Sequence, residues 1–281
     1  SCLLQLENAL GAYKVLDEFE TRFASSENEI IQEQLSLVLF NKGLIEGKQE
    51  QFGKEIRTYD KLIEKFANSK NENILSIVDE ATNNKKFRVD RLSMIAYDKN
   101  IQEELVKNIE DPEEKEVLKV DRIAYALKEL DRIDELLELY ENIAVKFKDT
   151  QNSNIKTEVL NFLREKASIE SNLHKTEDEI KSYNLMIEIL EDYLANGELE
   201  PFVYEKTLEN LAVIFSNKAA CFMSLNQAVD AVKLCEQFEK RFEFVNSERV
   251  LEQLSIVLYN KAITFARINE FQKEIETYDV L

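Results

Sequence analysis

Four asparagines, Asn41, Asn84, Asn217 and Asn260, recur in one short context: each is followed by a lysine and then by Gly43, Lys86, Ala219 or Ala262. A carboxamide donates and accepts at once, so a row of them can hydrogen-bond an extended peptide backbone without demanding one sequence. Beside them stand Phe40, Leu44, Phe87, Tyr125, Tyr259 and Ile263, apolar groups able to anchor a partner. The same side chains also suit a core, and an Asn-Lys pair also suits helix packing.

Other chemistry has little to stand on. The one histidine, His174, falls in a turn beside Lys175-Thr176-Glu177, which reads as a solvated loop rather than a general base or a metal ligand. The acidic clusters Glu110-Asp111-Pro112-Glu113-Glu114 and Glu177-Asp178-Glu179 lack the glycine turn and converging carbonyls of a cation loop, and read as helix-start charge. No glycine-rich phosphate loop, nucleophile elbow or paired-histidine motif occurs. Cys2, Cys221 and Cys235 have no metal-ligand spacing and read as small buried side chains in a reducing compartment. The expectation is a non-enzyme with no cofactor and no metal.

Composition points the same way. Of 281 residues 44% are apolar, 32% are charged, and only 5 are Gly and 2 Pro, which is too apolar for disorder and too poor in turn formers for an all-β fold. An all-α chain is expected. The formal net charge is −19, with basic residues scattered among acidic ones, so polyphosphate would be repelled and nucleic acid is not an expected partner. No apolar run is long enough to span a bilayer and no basic, apolar leader opens the chain, so no membrane role is expected either.

The elements that must position the asparagines are repeated. Residues 1–62 overlay residues 220–281 without a gap, with 26 of 62 positions identical. A shorter unit lies inside this duplication. A slot for a small residue follows the Asn-Lys pair, and it recurs at residues 43, 86, 124, 167, 219 and 262, separated by 43, 38, 43, 52 and 43 residues. That gives about six units plus the tail of one before them.

Each unit reads as two antiparallel helices. Ile31, Leu35, Val38, Leu39 and Leu44 share one helical face, and Phe52, Ile56, Tyr59, Leu62, Ile63 and Phe66 share the next. Stop and start signals sit at Ser25 to Asn28, Asn68 to Asn71, Asp149 to Asn154 and Asn246-Ser247, and Thr176 with Glu179 forms a capping-box pattern. Pro112 and Pro201 fall in the first turn of helices. About nine extra residues near Glu191 to Pro201 predict an extended helix end or loop, and residues 70–109 form the least regular unit. Both chain ends fall inside a unit, which predicts a longer parent polypeptide. Ala9, Tyr13, Leu16, Leu258, Tyr278 and Leu281 would then be core residues without neighbours, open to self-association.

The stretch Val38-Leu39-Phe40-Asn41-Lys42-Gly43 with Phe52, Glu55-Ile56, Tyr59-Asp60 and Phe66 resembles the tetratricopeptide repeats, in the longer-unit form frequent in bacteria. Echoes at Ala124 with Tyr140, Ala167 with Tyr183, Ala219 with Phe238 and Ala262 with Tyr278 extend the resemblance over essentially the whole chain. It departs at Lys86, where a small residue is expected, and at Glu55, Leu136, Glu179 and Glu274 in the second helices.

The resemblance implies a single right-handed α-α superhelix over residues 1–281, whose first helices line a concave face and turn the four asparagines toward ligand peptide. The slots that in some subgroups grip a C-terminal carboxylate hold Leu37, Phe40, Glu80 and Asn83, so that clamp is not expected. The expected function is a cytoplasmic protein-interaction scaffold that binds a peptide or helix of a partner. The alternative is a spacer, oligomerisation or regulatory arm of a larger protein.

Overall fold

A computed structural model of the chain describes residues 2–197 and 199–281, with side chains from residue 11 onward; the side chains of Cys2 and Ala9 lie outside the described residues. The described residues form thirteen helices and no strand. The chain divides into two compact units, residues 1–136 and 137–281.

The first unit contains α1 (Cys2–Phe23), α2 (Glu29–Lys48), α3 (Phe52–Phe66), α4 (Glu72–Tyr97), α5 (Lys99–Leu105) and α6 (Pro112–Glu129). The division falls within α7 (Ile133–Phe147). The second unit continues with α8 (Ser153–Asn172), α9 (Thr176–Asn196), α10 (Pro201–Ser224), α11 (Ala228–Phe242), α12 (Glu248–Arg267) and α13 (Phe271–Val280).

Two sets of contacts define the arrangement inside each unit. Consecutive helices run antiparallel: Gly43 meets Tyr59 while Gly47, four residues further on, meets Glu55, four residues earlier. Lys166 reaches Ser182 and Lys156 reaches Asp192 in the same reversed sense. Corresponding helices of successive repeats run parallel, with partners about one repeat apart. Lys61 of α3 pairs with Glu20 of α1 and Lys65 with the Ala24 carbonyl. Ser247, the N-cap of α12, bonds Glu209 in the first half of α10, and Arg267 reaches the Met223 carbonyl near the ends of both helices. Stacked helix hairpins follow, because no single pair can bury its apolar face alone.

The core of the first unit joins Leu35 and Leu39 of α2, Tyr59, Leu62 and Phe66 of α3, and Ile74, Val78 and Ala81 of α4. Each large aliphatic group buried to this degree contributes about 1.5–3 kcal/mol.

Punctuation follows the sequence in most places. Asn28, Asn71 and Asn152 cap α2, α4 and α8 through their side-chain oxygens, and Asp111 caps α6 with Pro112 in its first turn. Pro201 likewise opens α10. Ser247 departs from the pattern, since its hydroxyl donates to Glu209 at 2.7 Å instead of capping α12. The Thr176–Glu179 capping box does not form either: Lys175 is the N-cap, and the buried Glu179 accepts from the Tyr183 hydroxyl at 3.0 Å.

The turns show why a capping box was unnecessary. Glu50, Asp131, His174, Asn226 and Asn269 all have φ between 57° and 62°, each seven positions beyond the small-residue slot of its unit. One left-handed residue stands in the turn of each of the α2–α3, α8–α9, α10–α11 and α12–α13 hairpins. In the irregular unit α4 runs straight through the corresponding place, Ser93, and ends only at Tyr97; the short α5 then stands where a full second helix would be. Of the extra residues near 191–201, six lengthen α9 to 21 residues against 15 in α3 and α11.

Candidate functional site

Each Asn-Lys pair divides its labour because neighbouring residues on a helix point about 100° apart. The lysine turns inward. Lys42 Nζ lies 2.7 Å from Asp17 and 2.5 Å from Glu20 of the preceding second-type helix, Lys85 pairs with Asp60, and Lys261 lies 2.7 Å from Glu239. Lys166, at the matching place in α8, reaches Glu141 at 3.6 Å and Glu170 at 2.6 Å. These inter-helix clamps were not anticipated from the sequence. A signal for them existed: an acid stands 25 positions before the lysine in Asp17/Lys42, Asp60/Lys85 and Glu141/Lys166. Lys218 lacks such an acid; burial pulls its pKa below the usual lysine value, and its ammonium lies 5.9 Å from the Phe222 ring centroid.

The asparagines turn the other way. Asn41 on α2 and Asn217 on α10 are exposed, while Asn84 on α4 and Asn260 on α12 are half-buried. Two of them neighbour a tyrosine of the preceding second-type helix. Burial pushes the Tyr59 hydroxyl up to about 12, and the Asn84 amide, which approaches it without a hydrogen bond of good geometry, pulls the other way. Burial and Glu179 raise Tyr183, with Asn217 opposing. Where the matching residue of α8 is Glu165, the Tyr140 hydroxyl donates to it at 2.6 Å.

The six apolar neighbours are divided between surface and packing. Phe87 is the most open of them, at 64% exposed. Leu44 and Ile263 are half-buried. Phe40 packs on the core cluster, its ring 6.0 Å from that of Tyr59, and Tyr259 holds the same relation to Tyr278 at 6.5 Å. Tyr125 braces the α2–α3 turn, donating to the Glu50 carbonyl at 3.2 Å and meeting the Phe52 ring edge-on. Arg88 completes that corner, stacked 3.9 Å from the Phe52 centroid and 2.6 Å from Glu55.

In the second unit α8, α9 and α10 enclose a cleft of about 740 Å³. Asn217 stands in its wall with Arg164, Ser168, Asn172, Glu179 and Tyr183, and His174 lies at its edge. Among the described residues no carboxylate pairs with the exposed Arg164, whose Nη1 donates to Asn161 at 2.9 Å. The cleft therefore offers amide, hydroxyl and guanidinium groups over an apolar floor of Met186, Val213 and Ile214.

Among the described residues no group of three or more His, Cys, Asp or Glu side chains could hold a metal ion. Cys221 and Cys235 are free and buried, and burial raises both thiols to about 12, far from a reactive thiolate. No helix among the described residues is long and apolar enough to cross a membrane.

No family model matches the chain, and no curated protein matches it. Among solved structures it is similar to BtubC (BKLC) from P. vanneervenii, with 16% identity, 96% of this chain and 87% of that one covered, and a TM-score of 0.41. A likeness at that level carries no argument about this chain.

Proposed function

We propose that the chain is a tetratricopeptide-like, non-catalytic interaction scaffold that captures an extended peptide or a helix of a partner protein against its first-type helices. The observation that carries this reading is the position of Asn217 in the wall of the α8–α9–α10 cleft, beside an arginine that no carboxylate among the described residues engages. An extended peptide backbone presents alternating N–H and C=O groups, which a carboxamide can meet on both counts. The unpaired guanidinium favours a carboxylate or carbonyl of the ligand. In the first unit the same role falls to Asn41, with Asn84 and the open Phe87 beside it. Buried free thiols fit a reducing compartment, and a bacterial cytoplasm is the setting this reading assigns.

The test is selection of peptides from a randomised library against the whole chain, followed by rebinding to the variant with Asn41, Asn84, Asn217 and Asn260 all changed to alanine. Each amide hydrogen bond lost is worth about 0.5–1.5 kcal/mol, so affinity should fall at least about tenfold while helicity by circular dichroism stays unchanged. Selected peptides that bind the variant as tightly as the native chain would remove the assignment.

A further inference from the structure

A cavity of about 220 Å³ lies between α1, α2 and α3 of the first unit, and none of the four asparagines lines it. Glu46 stands in its wall. The residue is 2% exposed; the Tyr13 hydroxyl donates to its Oε1 at 2.7 Å, and its Oε2 has no hydrogen-bond partner among the described residues. A buried carboxylate oxygen left unmet costs free energy. The same cavity is lined by four cations, Lys42, Lys54, Arg57 and Lys61, against two carboxylates, Glu20 and Glu46. Glu20 engages Lys42 and Lys61. Lys54 donates to the Gln51 carboxamide at 3.0 Å, and neither it nor Arg57 pairs with a carboxylate among the described residues. On a chain of net charge −19, the lining of this cavity is positive.

The internal duplication supplies a control. Of the lining residues, Glu20, Leu39, Lys42, Lys54 and Thr58 recur 219 positions later as Glu239, Leu258, Lys261, Lys273 and Thr277, and the Lys42–Glu20 pair recurs as Lys261–Glu239. Four do not recur: Tyr13, Glu46, Arg57 and Lys61 are matched by Val232, Phe265, Glu276 and Val280. Phe265 is 6% exposed, so an apolar side chain satisfies the repeat at the place of Glu46. The scaffold itself therefore requires neither the buried carboxylate nor the surplus cations of the first copy.

We propose that this cavity binds a small zwitterion, an amino acid or aminoalkyl acid, with its ammonium on Glu46 Oε2 and its carboxylate between Lys54 and Arg57. The ammonium supplies the donor that Oε2 lacks and offsets a buried charge, and the carboxylate answers the two cations that no acid engages. Glu46 is buried while Lys54 and Arg57 are exposed, so the ammonium enters first and the carboxylate stays at the mouth. Size sets the class of ligand. The cavity holds the equivalent of about seven waters at their liquid share of about 30 Å³, room for a few heavy atoms and well below a drug-sized pocket. A bare anion would leave Oε2 unmet, and a bare cation would meet the repulsion of Lys54 and Arg57.

The probes are glycine, 4-aminobutyrate and 6-aminohexanoate, with butyrate and butylamine as the two halves of the middle one, titrated against the whole chain by ligand-observed nuclear magnetic resonance. At least one of the three zwitterions is expected to bind at least about tenfold more tightly than either half, the share of one charged hydrogen bond. Glu46→Phe and Arg57→Glu, which install the residues of the second copy, should each weaken that zwitterion at least about tenfold. Arg57 is exposed, so its variant reads binding even where the Glu46 variant fails to fold. No saturable binding of any zwitterion would overturn the proposal and leave Glu46 as the seat of a buried water only. Butyrate binding as tightly as 4-aminobutyrate, or zwitterion binding indifferent to Arg57→Glu, would overturn it as well.

Discussion

Lys156 illustrates how a single residue can work against its surroundings. It is 1% exposed, its ammonium lies 3.6 Å from Asp192 and 4.5 Å from the Tyr193 ring centroid, and it makes no hydrogen bond. Burial pulls its pKa below the ordinary lysine value, with Asp192 pulling back. The fold therefore holds this proton less tightly than the unfolded chain does, so the penalty is present at neutral pH and fades as pH rises through the depressed value toward the ordinary one, about 10.4. Lys156→Met should accordingly be about 1 kcal/mol more stable than the native chain at pH 7, with the gap narrowing by pH 10 in urea titrations. A less stable Met variant would mean that the ion pair outweighs its desolvation. Nothing in the sequence marks Lys156 as buried, because a lysine in a helix rich in charge reads as surface. The recurrence of Asn41, Asn84, Asn217 and Asn260 at one place in the unit was legible because the unit repeats. The separate fates of Phe40, Tyr125 and Phe87 were not, since one aromatic type serves core, turn brace and open surface alike.

At the scale of elements, the shared left-handed residue is the strongest regularity after the helices themselves. Glu50 and His174 hold a conformation that costs about 1–2 kcal/mol, a cost that Asp131, Asn226 and Asn269 meet more easily with their short polar side chains. Glu50→Gly should stabilise the first unit by about 0.5–1 kcal/mol, after allowing for the greater entropy of glycine in the unfolded chain, while Asn226→Gly should be nearly neutral in the second. Equal effects at both sites, by chemical denaturation, would count against the left-handed residue as the origin of strain. The turn device also explains what the sequence concealed. Helix starts written as asparagine caps could be read directly, whereas the Thr176–Glu179 pattern misled because chain reversal is achieved two residues earlier, at His174, which leaves Lys175 as the N-cap. The irregular stretch at 70–109 was recognisable as irregular, but the continuous α4 was not, because its slot residue Lys86 is exposed and needs no small side chain.

Because the chain divides into two compact units, each helix owes its stability to near neighbours in the sequence within its own unit. The two compact units should then respond separately to damage. Leu39 is 1% exposed in the core of the first unit, and Leu39→Ala removes a buried side chain at a cost of about 2–5 kcal/mol. A loss of that size is comparable to the stability of a small stack, so amides of α2, α3 and α4 should exchange much faster in the variant while those of α8 to α12 keep their protection. The result bears on function as well. If binding along α8 to α10 survives when the first unit is loosened, the cleft at Asn217 acts as a self-contained recognition element. If instead protection collapses uniformly from α2 to α12, the repeats fold as one cooperative body, and ligand captured at either end would be coupled to the stability of the other.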